Sequence, residues 1–376
     1  MGNIVFYVHD LRSSGVLRDT MMVAQYVAKH HDTTMVAGHG DGFFRDEAER
    51  GGYRLKILRP SARGIAPKLG AVPPLRAWLR KQPPGVLVSM GNLGHATPWL
   101  ACRGLRHIRR VYRISNEVVR GDGLRGAMRD LWMRGLIADA ARLALVGSAL
   151  RRYPPFGRAI DSGHAVEIAS GVDYHEANRK AQAPSPHPWF GEDVPVILGI
   201  GRLRPQKNFD VLIDAAGRIA REQPIRLIIL GGGTGEEQGR LHSLAAAAGL
   251  TGEQFLLAGE TDNVFAWAAR AAVFALPSRW EGSSLALLEA LAVGTPVVAS
   301  VLAGDAADVL SEGRYGLLFD GKDAGALAQA IVVQMSGAVV PPGDRALDYG
   351  LTARAYADLI DDTLQRPRGV NPALSA

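Results

Sequence analysis

Short apolar runs alternate with stretches whose apolar residues recur every three to four positions. In the first half, residues 4–8, 34–37, 55–58, 86–89, 110–114, 143–146 and 166–168 read as strands. Helical spacing fills 18–30, 75–81, 95–105 and 124–140. The alternation then breaks. Residues 178–195 hold Pro184, Pro186, Pro188 and Pro195 with little periodicity, so 179–195 is expected to be a linker. Beyond it, strands are expected at 196–200, 226–230, 254–257, 272–275 and 296–299. Helices are expected at 209–221, 236–248, 263–270, 284–293, 324–335 and 352–364. Short, continuously apolar strands separated by amphipathic helices predict βαβ units and parallel sheets. The expected organisation is a domain over 1–178, the linker, a domain over 196–350, and a C-terminal helix and tail over 351–376 that packs back on the first domain. Two doubly wound domains in series predict a cleft between them, lined by the carboxyl ends of both sets of strands.

Composition narrows the class. Of 376 residues, 47% are apolar and 21% charged, which excludes a disordered chain. The single cysteine, Cys102, allows no intrachain disulfide and no cysteine cluster for zinc, which fits a reducing, cytoplasmic setting. The first strand begins almost at Met1, so no signal peptide is expected. Phe6 stands where N-myristoylation needs Ser or Thr. The longest nearly uncharged stretch, 285–304, contains Glu289, Gly294 and Pro296, and no membrane span is expected. Charge is divided unevenly. Residues 1–178 carry 26 Lys and Arg against 15 Asp and Glu, net +11, whereas 179–376 are at −5. Either the basic half faces an anionic partner or its arginines are scattered over a solvated surface.

Two motifs carry candidate chemistry. In LGIGRLRPQKN, residues 198–208, a strand ends near Gly201, Arg202 and Lys207 lie in the loop, and Asn208 is expected to cap the next helix. Two cations beside a helix start suit a diphosphate, although a solvated loop with stray cations would look alike. In SRWEGSSLALLEALAVGTP, residues 278–296, Glu281 and Glu289 are eight apart, and Ser283 or Ser284 is expected to cap a helix apolar nearly all round. Glu289 is the only charge on that helix. A buried carboxylate needs hydrogen-bond donors, which ligand hydroxyls or an internal partner could supply. Rival motifs fail. GLLFDGKD at 316–323 has Asp where a P-loop needs Ser or Thr, the G-x-G-x-x-G frames that start at Gly199 and Gly231 meet Arg204 and Glu236 instead of the last glycine, and no Asp-x-Asp, H-E-x-x-H or G-x-S-x-G occurs.

Together, Gly-Arg-Leu-x₃-Lys-Asn and Glu-x₇-Glu, followed by ALAVGTPVVA, resemble the retaining nucleotide-sugar glycosyltransferases of family 4. The resemblance covers 195–335, including ILGGG at 229–233 and GRYGLL at 313–318. It implies the GT-B fold: two Rossmann-like, doubly wound parallel-sheet domains facing a central cleft, the first binding the acceptor and the second the donor. By resemblance, Arg202 and Lys207 hold the donor diphosphate and Glu281 contacts the sugar, these three being the expected catalytic residues. Gly201, Gly282, Ser283, Ser284 and Leu285 approach sugar and phosphate, Glu289 binds the ribose, and Gly259, Glu260 and Thr261 lie near the base. Gly15 corresponds to a glycine pair near the diphosphate, where this chain has Ser13-Ser14-Gly15. Ser115-Asn116 replaces a frequent histidine, so Asn92, His95, Arg113 and Asn116 are all acceptor-side candidates, with His9 at the end of the first strand.

The expected activity is transfer of a hexose or N-acetylhexosamine from a nucleotide diphosphate sugar, UDP favoured, to a hydroxyl of a lipid-linked or surface-glycan acceptor. No metal, cofactor or nucleic-acid partner is expected. The alternative is a non-catalytic or hydrolytic nucleotide-sugar-binding protein of the same fold. The basic first domain suggests peripheral docking on an anionic membrane face from the cytoplasmic side.

Overall fold

The computed structural model describes residues 1–11, 15–40, 42–59, 67–91, 94–115, 123–337, 339 and 349–366. The chain forms two compact units, Met1–Ala169 with Gly350–Ala376, and Ser170–Tyr349.

The first unit is built on β1 (Asn3–Val8), β2 (Asp32–Ala37), β3 (Arg54–Ile57), β4 (Gly85–Ser89), β5 (Ile108–Ile114), β6 (Arg142–Leu145) and β7 (Ala165–Glu167). The strands are all parallel, in the order β3-β2-β1-β4-β5-β6-β7. Helices cover both faces, which is why the central strands are apolar at every position rather than at alternate ones. On β1, Ile4, Phe6 and Val8 enter one core with Leu17 and Val23, while Val5 and Tyr7 enter another with Leu75 and Leu79. The strand order reverses between β1 and β4, the position where open parallel sheets leave a crevice.

The last helix, Tyr349–Gln365, belongs to this unit. Tyr356, Leu359 and Ile360 join the core of Ile4 and Phe6. Thr352 donates its hydroxyl proton to the Ala169 carbonyl at 2.8 Å, and Arg113 Nε donates to the Tyr356 hydroxyl at 3.0 Å. Arg109 donates to the Thr363 carbonyl, and Arg142 pairs with Asp362.

The second unit holds β8 (Val196–Ile200), β9 (Arg226–Leu230), β10 (Phe255–Gly259), β11 (Val273–Leu276), β12 (Val297–Ser300) and β13 (Leu317–Phe319). They too are parallel, in the order β10-β9-β8-β11-β12-β13, reversing between β8 and β11. Alternate residues of β8 again serve two cores, Leu198 and Ile200 in one and Ile197 in the other.

The unit boundary corrects the expected linker at 179–195. It lies at Ala169/Ser170, and the proline-rich segment is packed on the second unit. Proline has no N–H to donate, so the segment is held through its carbonyls. Asn263 Nδ2 donates to the Lys180 carbonyl at 2.9 Å, and Arg270 donates to those of Ala181 and Ala183 at 3.0 and 2.6 Å. Trp189 anchors it in the core beside Trp267, with the Arg226 guanidinium 4.8 Å from its ring. A helix, Tyr174–Ala181, precedes it where no element was expected. Among the described residues no helix is long and apolar enough to cross a membrane.

Candidate functional site

The motif residues of the second unit converge where its strands end. Past β8 and β9 the chain turns at Gly201 and Gly231, β10 ends at Gly259, and the three strand ends are bonded in series. Gly201 N donates to Leu230 O at 2.9 Å, Gly231 N to Gly259 O at 2.7 Å, and Leu203 N to Gly232 O at 2.9 Å. Gly231 has φ +145, and any Cβ there would strike the Gly201 carbonyl, so only glycine lets the loops approach this closely.

Beyond Gly201 the loop exposes Arg202 and turns through Pro205–Lys207. The Lys207 side chain lies along Gly201 and its Nζ donates to Glu281 Oε1 at 2.6 Å. Ser278 Oγ donates to the same oxygen at 2.8 Å, and Gln206 Nε2 donates to Glu281 Oε2 at 3.3 Å and to the Trp280 carbonyl at 2.9 Å. The Lys207 and Glu281 side chains are 17% and 8% exposed, so the pair is partly desolvated yet open on the lysine side. Two loops some 75 residues apart are thereby joined.

Asn208 differs from expectation. It adopts the left-handed region at φ +55, and its side chain makes no capping bond to the helix Phe209–Ala220. Its Nδ2 instead donates to the Gly321 carbonyl at 2.9 Å, and its Oδ1 accepts from Arg279 Nε at 2.9 Å. Ser284 also differs. It occupies the N-cap position of the helix Leu285–Ala292, but its hydroxyl is buried and makes no capping bond. The Ser284 side chain thus leaves the N-terminal end of that helix uncapped, where backbone N–H groups and the helix dipole favour negative charge. Every residue from Ala286 to Ala292 is buried, and Glu289 among them is 3% exposed.

Gly282 and Ser283 follow Glu281 in the same loop, and Leu285 begins the helix. Glu260 is exposed, with its carboxylate reaching over Gly232. Thr261 Oγ1 accepts from Asn263 N at 3.2 Å, a turn-forming role. Gly15 opens the helix Gly15–Val27 of the first unit. Asn92 and Asn116 lie outside the described residues.

Two first-unit candidates prove to be interior groups. Arg113 is buried, bonded to Asp19 and Tyr356. His95 is buried with Nδ1 2.7 Å from Ser89 Oγ and its ring edge-on to Tyr112. Burial lowers its pKa to about 3, so it is neutral. His9 lies with its ring 5.2 Å from that of His39.

The spacing arguments missed Asp305. It follows β12 and Gly304, is buried, and lies against the loop of Glu281; burial pushes its carboxyl up to about 7. No motif marked it, because its burial comes from the folding of one loop onto another.

A structure described as Anabaena Alr3699/HepE in complex with UDP and glucose superposes with a TM-score of 0.73 at 17% identity, covering 97% of this chain and 96% of that one. WaaG, a glycosyltransferase involved in lipopolysaccharide biosynthesis, does so with a TM-score of 0.69 at 15% identity, over 95% and 99%. The two parallel-sheet units thus have the GT-B fold. A D-inositol 3-phosphate glycosyltransferase of Acidothermus cellulolyticus is 35% identical over 223 residues, 57% of this chain and 47% of that protein. A GDP-mannose-dependent alpha-(1-6)-phosphatidylinositol monomannoside mannosyltransferase of Mycolicibacterium smegmatis is 33% identical over 190 residues, 48% and 47% of the two chains. The chain thus spans about half the length of the curated relatives it matches. Residues 194–336 match the family of glycosyl transferases group 1, and with the glycine-lined loops, the Lys207–Glu281 pair and Glu289 all inside that span, the second unit is a domain of this family.

Proposed function

We propose that the protein is a retaining, metal-independent glycosyltransferase that moves a hexose or N-acetylhexosamine from a nucleotide diphosphate sugar, UDP favoured, to a hydroxyl of a lipid-linked or surface-glycan acceptor. The observation that carries this reading is the Lys207–Glu281 pair, set between glycine-lined loops and the uncapped end of the helix Leu285–Ala292. The ammonium of Lys207 keeps two donors beyond the one given to Glu281, enough to reach a diphosphate. With Arg202 and the helix N-terminus it meets the charge that develops on the departing phosphate, the term that dominates catalysis of such reactions. Glu281, held from three sides, is placed to orient sugar hydroxyls, and Glu289 to accept from the ribose. Following the family resemblance, the acceptor attacks the face that the diphosphate leaves, and the departing phosphate takes its proton.

Acceptor class follows from the first unit. Its half of the chain is net +11, and the helix Gly123–Asp139 exposes Leu124, Met128 and Leu131 at 78%, 62% and 72%, spaced to lie on one stripe. Apolar side chains among basic ones suit reversible docking on an anionic bilayer, which would bring a lipid-linked acceptor to the protein.

The test begins with Arg202→Ala, which removes an exposed side chain and spares the fold. It is expected to weaken calorimetric binding of UDP-, GDP- or ADP-sugars about tenfold. Equal affinity in variant and parent for every donor that binds would sink the donor assignment. Turnover is expected to survive EDTA, with the product anomer matching the donor's by NMR. Release of free sugar without any transfer to glycan or lipid acceptors would favour the hydrolytic alternative. Co-sedimentation with anionic but not neutral liposomes, lost at high salt, is the expected membrane result.

A further inference from the structure

Asp305 leaves β12 through Gly304 and precedes the short helix Ala306–Val309. Gly304 has φ +63, and a side chain there would strike the carbonyls of Glu281 and Gly282, so the loop after β12 is pressed directly onto the loop that carries Glu281. Asp305 N donates to the Gly282 carbonyl at 3.3 Å. Asp305 is 6% exposed, its carboxyl faces the Ser283 side chain, and its Oδ1 has no partner among the described residues. Among the described residues, the charged groups that act on it are carboxylates, Glu281 across the loop and Asp308 on its own helix. Lys207 is bonded to Glu281. Burial and two like charges oppose ionisation, and the Ser283 hydroxyl and Asp305's own backbone N–H favour it. The balance raises the pKa to about 7.

We propose that Asp305 is a positioning residue for the donor and works in its neutral form. Protonated, it sits beneath the turn at Glu281–Ser284 that leads into the helix Leu285–Ala292, tied to it by the bond from its own N–H to the Gly282 carbonyl, without adding charge. Ionised, it places a second negative charge beside Glu281, where an anionic diphosphate must approach. Donor binding is therefore linked to uptake of a proton from solvent at Asp305, and the linkage runs through a loop contact rather than through a group that touches the donor. This inference rests on the donor-site reading above.

The experiment is calorimetry with UDP-glucose, GDP-mannose and ADP-glucose at about pH 6 and pH 8, in buffers of different ionisation enthalpy. A nucleotide sugar is a diphosphate diester, so its phosphate charge is constant over this range. Wild-type affinity is expected to fall about fivefold or more between the two pH values, with fractional proton uptake on binding near neutrality. Asp305→Asn, which keeps the shape and cannot ionise, is expected to bind at both pH values as the wild type does at pH 6, with no proton uptake. Asp305→Ala is expected to bind poorly at both, with folding checked by thermal denaturation. A flat wild-type affinity, or an asparagine variant that loses affinity with pH as the wild type does, would overturn the proposal while leaving the donor site standing. Failure of all three donors to bind at pH 6 would remove the donor-site reading itself, and this proposal with it.

Discussion

The two units share one architecture and use the charges at their strand ends in opposite ways. In the second, Lys207 and Glu281 meet at 2.6 Å on loops whose glycines bring backbone close, and Arg202 beside them is exposed. In the first, Arg113 on β5 is closed in between Asp19 and Tyr356, and His95 is bonded to Ser89. A doubly wound sheet offers the same crevice in both cases, but in the first unit the charge is enclosed by its own chain and holds the fold together. The arginine that looked like an acceptor-side group from its place in the sequence serves to fasten the last helix.

That contrast can be broken. The largest effect is expected from Arg113→Met, which leaves the Asp19 carboxylate buried without its cation. Loss of one partner of a buried pair costs about 3–5 kcal/mol, so the melting temperature should fall by roughly ten degrees. Nucleotide-sugar affinity, measured well below the transition, should stay close to wild type. A variant that melts normally but binds donor poorly would reverse the assignment. Next in size, Glu281→Ala is expected to lower turnover by about 100-fold or more while changing nucleoside diphosphate affinity far less, because its proposed partner is the sugar. Steady-state kinetics beside UDP and GDP binding separates the two. Smaller again, Glu289→Gln should weaken donor binding about tenfold through loss of a charged acceptor for ribose hydroxyls, with little change in kcat at saturation. If binding is unchanged, Glu289 is another interior charge like Arg113.

The smallest effect concerns stability against pH. The Asp305 carboxyl goes from an ordinary 3.8 to about 7 on folding. Between those values the folded chain holds a proton that the unfolded chain has released, so stability falls as pH rises through this window and is fully present only below it. Asp305→Asn should therefore raise the melting temperature at pH 8 by a few degrees and have little effect near pH 4. A variant no more stable than wild type at pH 8 would show that the carboxyl ionises there without cost.

Much of this was legible in the sequence, for identifiable reasons. Continuous apolar runs such as Val196–Ile200 are strands because helices cover both faces of the sheet, and the helix Ala324–Met335 falls where its periodicity put it. The helix Tyr174–Ala181 was not legible. It is polar on most sides and runs into prolines, so its composition is that of a linker, and only packing on the second unit reveals it. In the site, cations and carboxylates at fixed spacing marked Arg202, Lys207, Glu281 and Glu289. Asn208 was misread because its left-handed backbone turns the side chain away from the helix it precedes. Asp305 carried no local signal at all, since its surroundings are made by Gly304 and a loop more than twenty residues earlier.

The return of the helix Tyr349–Gln365 to the first unit makes that unit discontinuous along the chain, and this fixes an order of assembly. On the ribosome the second unit has all of its residues before the first does, although the first is begun earlier. Until Tyr356 emerges, Arg113 lacks the hydroxyl that its Nε meets in the folded unit, and the apolar surface around Ile4 and Phe6 stays uncovered. A chain truncated after Tyr349 should be cut readily within the first unit and resist protease in the second.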